Sequence, residues 1–411
     1  MKKLEQCFKN NKRGITLIAL VITIIVLLIL AGISISMLTG QNGILNRVQE
    51  AKEETEVAGE DELRKLTQME AAMNLESTTH TDNSTGEVKT VTIPAQCAIS
   101  KVEGENTLKD GLVIIDVNGN EWVWVEITKS KVFLTASNKE DYENIKNDLM
   151  TYAFDYRGGV EGENRYWNDE YYDGCGIKDK DTYNNMYNKM LSSIYENEGF
   201  WVGRYEAGFS TNIPRTENSS IEEGAKIQQN LYPYNFVTCS QAQTLANNIS
   251  PDSSKTSSLL FGIQWDALCK FLEEKSDLDE DEINSDSTNW GNYSNAEFQI
   301  ENVKYAIYNQ TTGDLGNWNI LQGIYSKQSY GMDNTMLLST GASNYTKKMN
   351  IYDLAGNLWE WTLEKAASLD KPSTRRGSGY KNPGYTHPAA NKGAGTIIEN
   401  LDSIGFRVAL Y

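Results

Sequence analysis

The sequence is short of positive charge and of histidine. Of its 411 residues, 38 are Lys or Arg and 56 are Asp or Glu, which gives a formal net charge of −18. Such a chain repels the phosphates of nucleic acids, so no nucleic acid is expected as a partner. Two histidines, His80 and His387, leave a conventional zinc site or a histidine-based catalytic triad poorly supplied. Only seven prolines, with 39% hydrophobic residues, argue against a disordered chain.

A long uncharged stretch dominates the N-terminus. The 25 residues from Ile15 to Thr39 contain no charged side chain. A helix of that length is about 37 Å long, enough to cross a hydrocarbon core of about 30 Å. The residues before it include five Lys or Arg and one acid, Glu5. We therefore predict a single-pass membrane helix at 15–39, with the N-terminus cytoplasmic and everything after Thr39 extracellular.

The stretch "KNNKRG" followed by "ITLIALVITII" resembles the leader of type IV prepilins. The resemblance covers about the first 45 residues. It implies that residues 1–14 are a leader, which a prepilin peptidase removes by cutting between Gly14 and Ile15. That family usually has glutamate at the fifth mature position, where it helps subunits assemble, whereas this sequence has Ala19. The alternative is a plain anchor that is never cut.

Composition divides the rest of the chain. Residues 40–76 repeat apolar side chains at helical spacing among charged ones, which predicts a helical stalk with a break near Gly59. Residues 77–87 are small and polar and indicate a linker. A globular domain is expected at 88–411, with a Tyr-, Asn- and Asp-rich insertion containing some helix at about 138–199.

Within the globular domain, short apolar runs predict strands at Gly111–Val117, Glu121–Ile127 and Gly199–Gly208. Helices are expected in "TCSQAQTLANNIS", which opens on a Thr or Ser cap, and in "IQWDALCKFLEEK", whose apolar residues recur at i, i+3, i+4 and i+7. The segment "SIGFRVALY" still alternates at its last residue and is expected to pair inside a sheet.

Several segments in order resemble the formylglycine-generating-enzyme family: "EWVWVEI", "GFWVGRYEAG", "YPYNFVTCSQAQTLA", "GIQWDAL", and the closing series "YDLAGNLWEWT", "RRGSGY" and "GFRVALY". The resemblance spans roughly Val88 to Tyr411. It implies an α+β fold, in which the long N-terminal helix is followed by an elaborated C-type lectin domain.

The same resemblance argues against catalysis. The family's chemistry uses two reactive cysteines between the "RGGS"-like segment and the final "GFR", and residues 375–407 contain none. Neither copper nor enzyme activity is therefore expected. The five cysteines are Cys7, Cys97, Cys175, Cys239 and Cys269. Cys239 and Cys269 are expected as core thiols on helices and Cys175 on a loop; an external compartment permits disulfides, but the sequence selects none of three pairings.

The motif "YDLAGNLWEWT" matches the family's calcium loop at Asp353, Gly356, Leu358 and Glu360. Calcium takes six to eight oxygen ligands, here the two carboxylates and the carbonyl oxygens of Gly356 and Leu358. The tryptophans of "WEW" are expected to point together into the core. The alternative keeps the turn and the tryptophans but holds no metal, with Glu360 paired to an arginine such as Arg407.

The same scaffold occurs in the variable proteins of diversity-generating retroelements, whose residues just before "GFR" form a ligand-binding surface. The corresponding residues here are Tyr380, Lys381, Asn382, Tyr385, Thr386, His387 and Asn391. Such side chains combine rigid contact area with adaptable hydrogen bonds. The resemblance thus implies an external ligand, protein or glycan, and diversification by a retroelement. Ordinary lectin-fold loops contain the same residue types, and that alternative stays open.

Three function classes follow. The first is a membrane-anchored or pilin-like display protein whose globular domain at 88–411, which we call the head, binds an external ligand. The second is a minor pilin or pseudopilin that contacts other pilus subunits and would be found in sheared pili. The third is an oxidase of the formylglycine-generating type, which the missing cysteines disfavour.

Protease treatment of intact cells tests the predicted topology. Because everything after Thr39 is expected outside, added proteinase K should digest the head while a cytoplasmic marker protein survives. Immunoblotting with an antibody against residues of the head measures the loss. A head that is digested only after the cells are lysed would contradict the predicted orientation.

Overall fold

The computed structural model describes residues 21–24, 44–157, 169–211, 213–221, 224–251, 255–328, 334–366 and 370–411. The predicted leader, its cleavage site at Gly14 and Ile15, and most of the predicted membrane helix lie outside these residues. Within them, none of the helices has the length and apolar character needed to span a bilayer. The chain divides into two compact units, Met1–Leu63 and Arg64–Tyr411. In the first unit, residues 21–24 and the residues from Ile44 onward are helical.

The described helices and strands alternate irregularly along the chain. The helices are α1 (Ile44–Met73), α2 (Lys129–Val132), α3 (Tyr142–Tyr152), α4 (Asp169–Gly174), α5 (Lys180–Asn197), α6 (Cys239–Asn247), α7 (Gly262–Lys275) and α8 (Glu280–Asn284), with short 3₁₀ turns at Phe154–Tyr156, Thr288–Trp290 and Asn344–Thr346. The strands are β1 (Thr78–Asp82), β2 (Lys89–Ile93), β3 (Cys97–Ile99), β4 (Val113–Asp116), β5 (Glu121–Glu126), β6 (Gly199–Gly203), β7 (Gly208–Phe209), β8 (Ala225–Lys226), β9 (Ser257–Leu259), β10 (Phe298–Glu301), β11 (Lys304–Asn309), β12 (Asp314–Ile320), β13 (Ile324–Lys327), β14 (Asn334–Leu338), β15 (Trp359–Lys365), β16 (Ser373–Arg376), β17 (Lys392–Gly395), β18 (Ile404–Phe406) and β19 (Val408–Leu410).

Two sheets organise the second unit. The larger has the order β3-β4-β5-β6-β19-β9, with every neighbouring pair antiparallel. The second has the order β17-β16-β15-β18, in which β15 and β18 run parallel. Smaller groups are β12-β11-β14, β10-β13, β1-β2 and β7-β8. The fold is therefore a mixed α+β arrangement, and the predicted pairing of the last segment inside a sheet is confirmed by β19.

The sequence located the main strands and helices well but not all their ends. The strand predicted at Gly199–Gly208 ends at Gly203, because the next residues turn away to place charged side chains in the core. The helix predicted after a Thr or Ser cap is confirmed as α6. Thr238 Oγ1 accepts a hydrogen bond from Gln241 N at 3.3 Å, and Gln241 Oε1 accepts one from Thr238 N at 3.0 Å, which completes a capping box.

The segments predicted as stalk and linker have local structure that their composition did not indicate. Helix α1 continues through Gly59 without the expected break. Its last turns are not a solvated stalk, because Thr67 and Ala71 are completely buried in the second unit. Within the expected linker at 77–87, Thr78–Asp82 form β1, which pairs antiparallel with β2 in the following segment. Polar β-branched residues such as those of β1 form strands readily when a partner strand is present.

The described helices of the predicted insertion at about 138–199 pack into the core. Its helices α3 and α5 pack on each other, and α3 also packs on α7. Their buried apolar residues, Ile145, Leu149, Met190, Leu191 and Ile194, belong to the same hydrophobic cluster as the main sheet. Exposed residues such as Asn147, Asn184 and Asn185 gave the segment its polar composition, whereas Tyr183 and Tyr195 are buried.

A buried group of four charges fastens the end of α1 to the larger sheet. Arg204 Nη1 lies 2.7 Å from Glu105 Oε1 and 3.0 Å from Glu121 Oε2. Arg64, on α1, binds the same two carboxylates at 2.7 and 2.8 Å. Burial by itself would raise the pKa of Glu105, but Arg204 and Arg64 outweigh it and lower the pKa to about 2. The four charges therefore form one network, and each arginine neutralises charge that water cannot reach.

Replacing Arg204 by methionine should destabilise the fold strongly. The change keeps most of the apolar volume but leaves two buried carboxylates with one arginine, and we expect the free energy of unfolding to fall by about 3–5 kcal/mol. Urea unfolding followed by circular dichroism measures it.

The matched control is Lys101→Met. This change breaks an exposed pair in which Lys101 Nζ lies 2.5 Å from Glu70 Oε2, and it should cost less than about 1 kcal/mol. Equal losses for the two variants would show that the buried network contributes no more than a surface ion pair.

Candidate functional site

The segment Asn350–Glu364 forms a tight turn that leads into β15. Backbone φ is positive at four of its residues, Asn350, Asp353, Gly356 and Asn357. A Cβ at Gly356 would lie 2.4 Å from the carbonyl oxygen of Asn292, so only glycine fits where these two backbones meet. The turn sets the register of β15, and Glu360 therefore faces inward between β16 and β18.

Glu360 is bound at both oxygens by one arginine. Arg407 Nε lies 3.1 Å from each carboxylate oxygen, and Arg407 Nη2 donates to Glu360 Oε1 at 2.7 Å. The guanidinium also donates to the carbonyl oxygens of Gly203 at 2.9 Å and Tyr352 at 2.8 Å. Arg407 and Glu360 are 0% and 1% exposed. Burial raises the pKa of Glu360, and the ion pair with Arg407 holds that rise in check.

Asp353 is buried and fully hydrogen-bonded. Its Oδ2 accepts a hydrogen bond from Gly341 N at 2.7 Å, and its Oδ1 accepts one from Thr346 Oγ1 at 2.7 Å. Burial raises the pKa of Asp353 despite these two donors. The side chain therefore fixes its own turn to the neighbouring loop.

Glu206 is a third buried carboxylate that sequence reasoning missed. Its oxygens accept hydrogen bonds from Leu358 N at 2.9 Å and from Asn357 Nδ2 at 2.6 Å. Burial, followed by repulsion from Asp353 and Glu360, raises the pKa of Glu206 well above its ordinary value. The only signal in the sequence was a glutamate inside the apolar segment "GFWVGRYEAG".

The geometry of Asp353, Gly356, Leu358 and Glu360 bears on the predicted calcium loop. All four carboxylate oxygens of Asp353 and Glu360 already accept hydrogen bonds, and Arg407 supplies the positive charge that a cation would bring. Among the residues that the structure describes, no cluster of three His, Cys, Asp or Glu side chains is arranged to hold a metal ion. As arranged, these residues do not fit a calcium ion, whereas the alternative pairing of Glu360 with Arg407 is present, so we expect the motif to hold no calcium.

The two tryptophans of the motif point into the core, as predicted. Trp361 is completely buried and donates from Nε1 to Val237 O at 2.9 Å. Trp359 is 7% exposed and donates from Nε1 to Asn382 Oδ1 at 3.1 Å. Trp359 thereby connects the motif to the predicted ligand-binding segment.

Hydrogen bonds to neighbouring loops fix the first part of the predicted ligand-binding segment. Tyr380 is completely buried, and its hydroxyl donates to Asp402 Oδ2 at 3.0 Å. Lys381 Nζ donates to the other oxygen of Asp402 at 2.7 Å and lies 3.5 Å from the centre of the Tyr308 ring. With Asn382 bound to the indole of Trp359, these three predicted residues position the segment and leave little surface for a ligand.

The next residues, 383–387, form a loop that is exposed at Tyr385 and Thr386, and we call it the Tyr385 loop. Tyr385 is 60% exposed and Thr386 is also exposed, whereas His387 is half-buried. The His387 ring lies edge-on to Trp359, with centroids 5.9 Å apart, and its Nδ1 is 2.8 Å from Thr386 Oγ1. Burial lowers the pKa of His387 and so favours the neutral form of the imidazole.

The backbone of the Tyr385 loop is also fixed. Asn295 Oδ1 accepts a hydrogen bond from Gly384 N at 3.0 Å, and Pro383 O accepts one from His387 N at 3.1 Å. Asn391, the last predicted ligand residue, donates from Nδ2 to Thr386 O at 3.3 Å. Of the seven predicted residues, Tyr385, Thr386 and His387 therefore form one accessible and ordered surface.

A second buried charge cluster lies on the strands beside the motif. Arg376 of β16 binds Asp266 of α7, and its Nη1 lies 3.6 Å from Glu364 Oε2 on β15. Lys392 of β17 binds the other oxygen of Glu364 at 2.5 Å. Burial raises the pKa of Asp266 to about 6, although Arg376 opposes the rise. The cluster joins four elements, and sequence reasoning gave it no role.

No protein-family model matches the chain, and no curated protein matches its sequence. Among solved structures, it is similar to CarF, with 13% identity and a TM-score of 0.32 over 51% of this chain and 85% of that one. It is also similar to PvdO from Pseudomonas aeruginosa, with 14% identity and a TM-score of 0.31 over 52% of this chain and 81% of that one. Variable protein 1 from Treponema denticola gives 12% identity and a TM-score of 0.23 over 81% of this chain and 98% of that one. Likeness at this level does not place the chain in a family.

Thermal melting with and without calcium tests whether the motif holds a metal. Because Arg407 neutralises Glu360, we expect the same melting temperature in millimolar calcium chloride and in excess EDTA. Glu360→Gln should still lower the free energy of unfolding by about 3–5 kcal/mol, because it leaves a buried arginine without its carboxylate.

Glu196→Gln is the control for Glu360→Gln. It breaks an exposed pair with Lys139, in which the two charged atoms lie 2.8 Å apart, and it should have little effect. A melting temperature that rises by several degrees in calcium, and only when Glu360 is present, would instead support the calcium loop.

Proposed function

We propose that this chain is a membrane-anchored display protein whose head binds an external ligand through the Tyr385 loop. The observation that carries the proposal is Tyr385 itself, a large aromatic side chain that is 60% exposed on a loop with a fixed backbone. An exposed aromatic group that is already ordered loses little conformational entropy on binding. Tyrosines in this situation are frequent anchors of recognition surfaces.

The surroundings of Tyr385 suit a polar ligand. Thr386 adds a hydroxyl group and His387 an imidazole ring. The segment at 286–289 adjoins the loop, because a Cβ at Gly384 would lie only 2.6 Å from Thr288 N. Asp286 in that segment is exposed. The combined surface offers hydrogen-bond donors and acceptors around one aromatic face, which suits a protein or a glycan.

The buried carboxylates and the lack of cysteine near the Tyr385 loop favour a binding function over catalysis. Asp353, Glu206 and Glu360 are buried, and their carboxylate oxygens accept hydrogen bonds from donors within the protein. Residues 375–407 contain no cysteine. The groups that remain accessible on the Tyr385 loop are useful for recognition but are not matched as a nucleophile and base.

We also propose that the head is an elaborated C-type lectin domain of the formylglycine-generating type. The segments that carry that resemblance meet in space, since β5, β6 and β19 are neighbours in one sheet and β15 pairs with β18 in the other. A membrane helix at 15–39, removal of the leader after Gly14, and diversification by a retroelement belong to the same proposal. A genomic template repeat that differs from the Tyr385 loop codons at adenines would support the last point.

A binding screen with a matched pair of variants tests the role of the Tyr385 loop. The full-length chain, purified in detergent, is immobilised and probed with a phage-displayed library of protein fragments and with a printed glycan array. Each binder is then measured against Tyr385→Ala by biolayer interferometry. We expect a loss of affinity of about 10- to 30-fold, as for a central aromatic anchor.

Tyr325→Ala is the control, because Tyr325 is 38% exposed on β13 and lies outside the loop. It should leave affinity unchanged, and both variants should melt at the wild-type temperature. Binders that tolerate Tyr385→Ala as well as Tyr325→Ala, or the absence of any binder, would overturn the proposal.

A further inference from the structure

Two cysteines that are distant in the sequence meet in the core. Cys239 Sγ lies 3.4 Å from Cys175 Sγ, and the two residues are 64 positions apart. Both side chains are completely buried, and both are free thiols in this structure. The sequence selected no pairing among the external cysteines, whereas the fold brings these two sulfur atoms into contact.

The backbone around Cys175 holds its sulfur in place. The N–H groups of Cys175 and Ile177 both donate to Tyr172 O, at 3.2 and 2.7 Å, and so close a tight turn after α4. Gly176 has a φ of +69°, and a Cβ there would lie 2.9 Å from Ser240 O. Glycine therefore allows this turn to lie against the first turn of α6.

The partner sulfur is equally well fixed. Cys239 is the first residue of α6, directly after the capping residue Thr238. Its Sγ lies 3.9 Å from Thr362 O, and Cys175 Sγ lies 3.8 Å from Ser373 Oγ. The contact with Cys175, together with burial, raises the pKa of the Cys239 thiol. A thiol in this state reacts slowly once the protein is folded.

We propose that Cys175 and Cys239 form an intramolecular disulfide bond when the chain folds under oxidising conditions. One cysteine thiolate attacks a small-molecule disulfide such as oxidised glutathione, which releases one glutathione thiol and leaves a mixed disulfide. The second cysteine attacks the protein-bound sulfur of that mixed disulfide and releases the second glutathione thiol. The protein loses two protons and two electrons, and the glutathione disulfide gains them as it becomes two glutathione thiols.

The bond would join the predicted insertion to the central part of the fold. It links the turn after α4 to the start of α6, and the loop that it closes contains α5 and β6. Closing a loop of this length restricts the unfolded chain and so stabilises the folded one. The proposal concerns the core of the head and does not depend on what the Tyr385 loop binds.

Refolding in a redox buffer tests the bond directly. The full-length chain in detergent is unfolded, reduced, and refolded with mixed oxidised and reduced glutathione, or with reduced glutathione alone. Free thiols are then blocked with N-ethylmaleimide, and the digest is analysed by mass spectrometry without reduction. We expect two fewer blocked cysteines in the oxidised sample, one linked peptide pair containing Cys175 and Cys239, and a melting temperature higher by roughly 5 °C or more.

Two variants separate this pair from the other thiols. Cys239→Ala should abolish the linked peptide and the shift in melting temperature, whereas Cys269→Ala, which removes another buried thiol, should preserve both. Even if a variant fails to fold, the peptide map of the wild-type chain still shows whether Cys175 and Cys239 are linked. Complete blocking of all cysteines after oxidative refolding, a linkage through Cys97 or Cys269, or an unchanged melting temperature would each overturn the proposal.

Discussion

The ion pair between Glu360 and Arg407 is the constraint on which the head depends. Arg407 stands between β18 and β19, one strand in each main sheet, and its guanidinium reaches β15 and the end of β6 at once. Both charges are buried, so the loss of either one would leave the other with no compensating partner. The turn of the "YDLAGNLWEWT" motif brings Glu360 to this position, and Gly356 and Asn357, both with positive φ, form its tightest part.

This arrangement explains why a motif with many polar residues belongs to the core. Glu206 accepts hydrogen bonds from Asn357 and Leu358, and Asp353 accepts them from Gly341 and Thr346, so these buried carboxylates are satisfied within the fold. A rigid interior of this kind leaves loops free to vary, provided that their ends stay fixed. The Tyr385 loop meets that condition, because Tyr380 and Asn382 anchor its start while Tyr385 and Thr386 project outward.

Much of the scaffold could be predicted from the sequence because its signals are local. The cap at Thr238, the apolar runs of β4 and β5 and the alternation of β19 identify elements without knowledge of their neighbours. The Glu360–Arg407 pair was one of two alternatives, since sequence alone does not say whether a carboxylate meets an arginine or a cation. Glu206, the Arg64 network and the Cys175–Cys239 contact escaped prediction, because each joins segments far apart in the chain. The burial of Tyr380 escaped for the same reason, as its partner Asp402 lies on another loop.

The central place of β19 in the larger sheet has a consequence for biosynthesis. Until Val408–Leu410 leave the ribosome, β6 and β9 have no strand between them, and Arg407 is not available to neutralise Glu360. A nascent chain that is complete up to this point therefore displays two unpaired strand edges and an uncompensated buried acid. Such an intermediate is a natural target for chaperones and quality-control proteases, and translation that stops just short of Arg407 should yield a product that these factors remove.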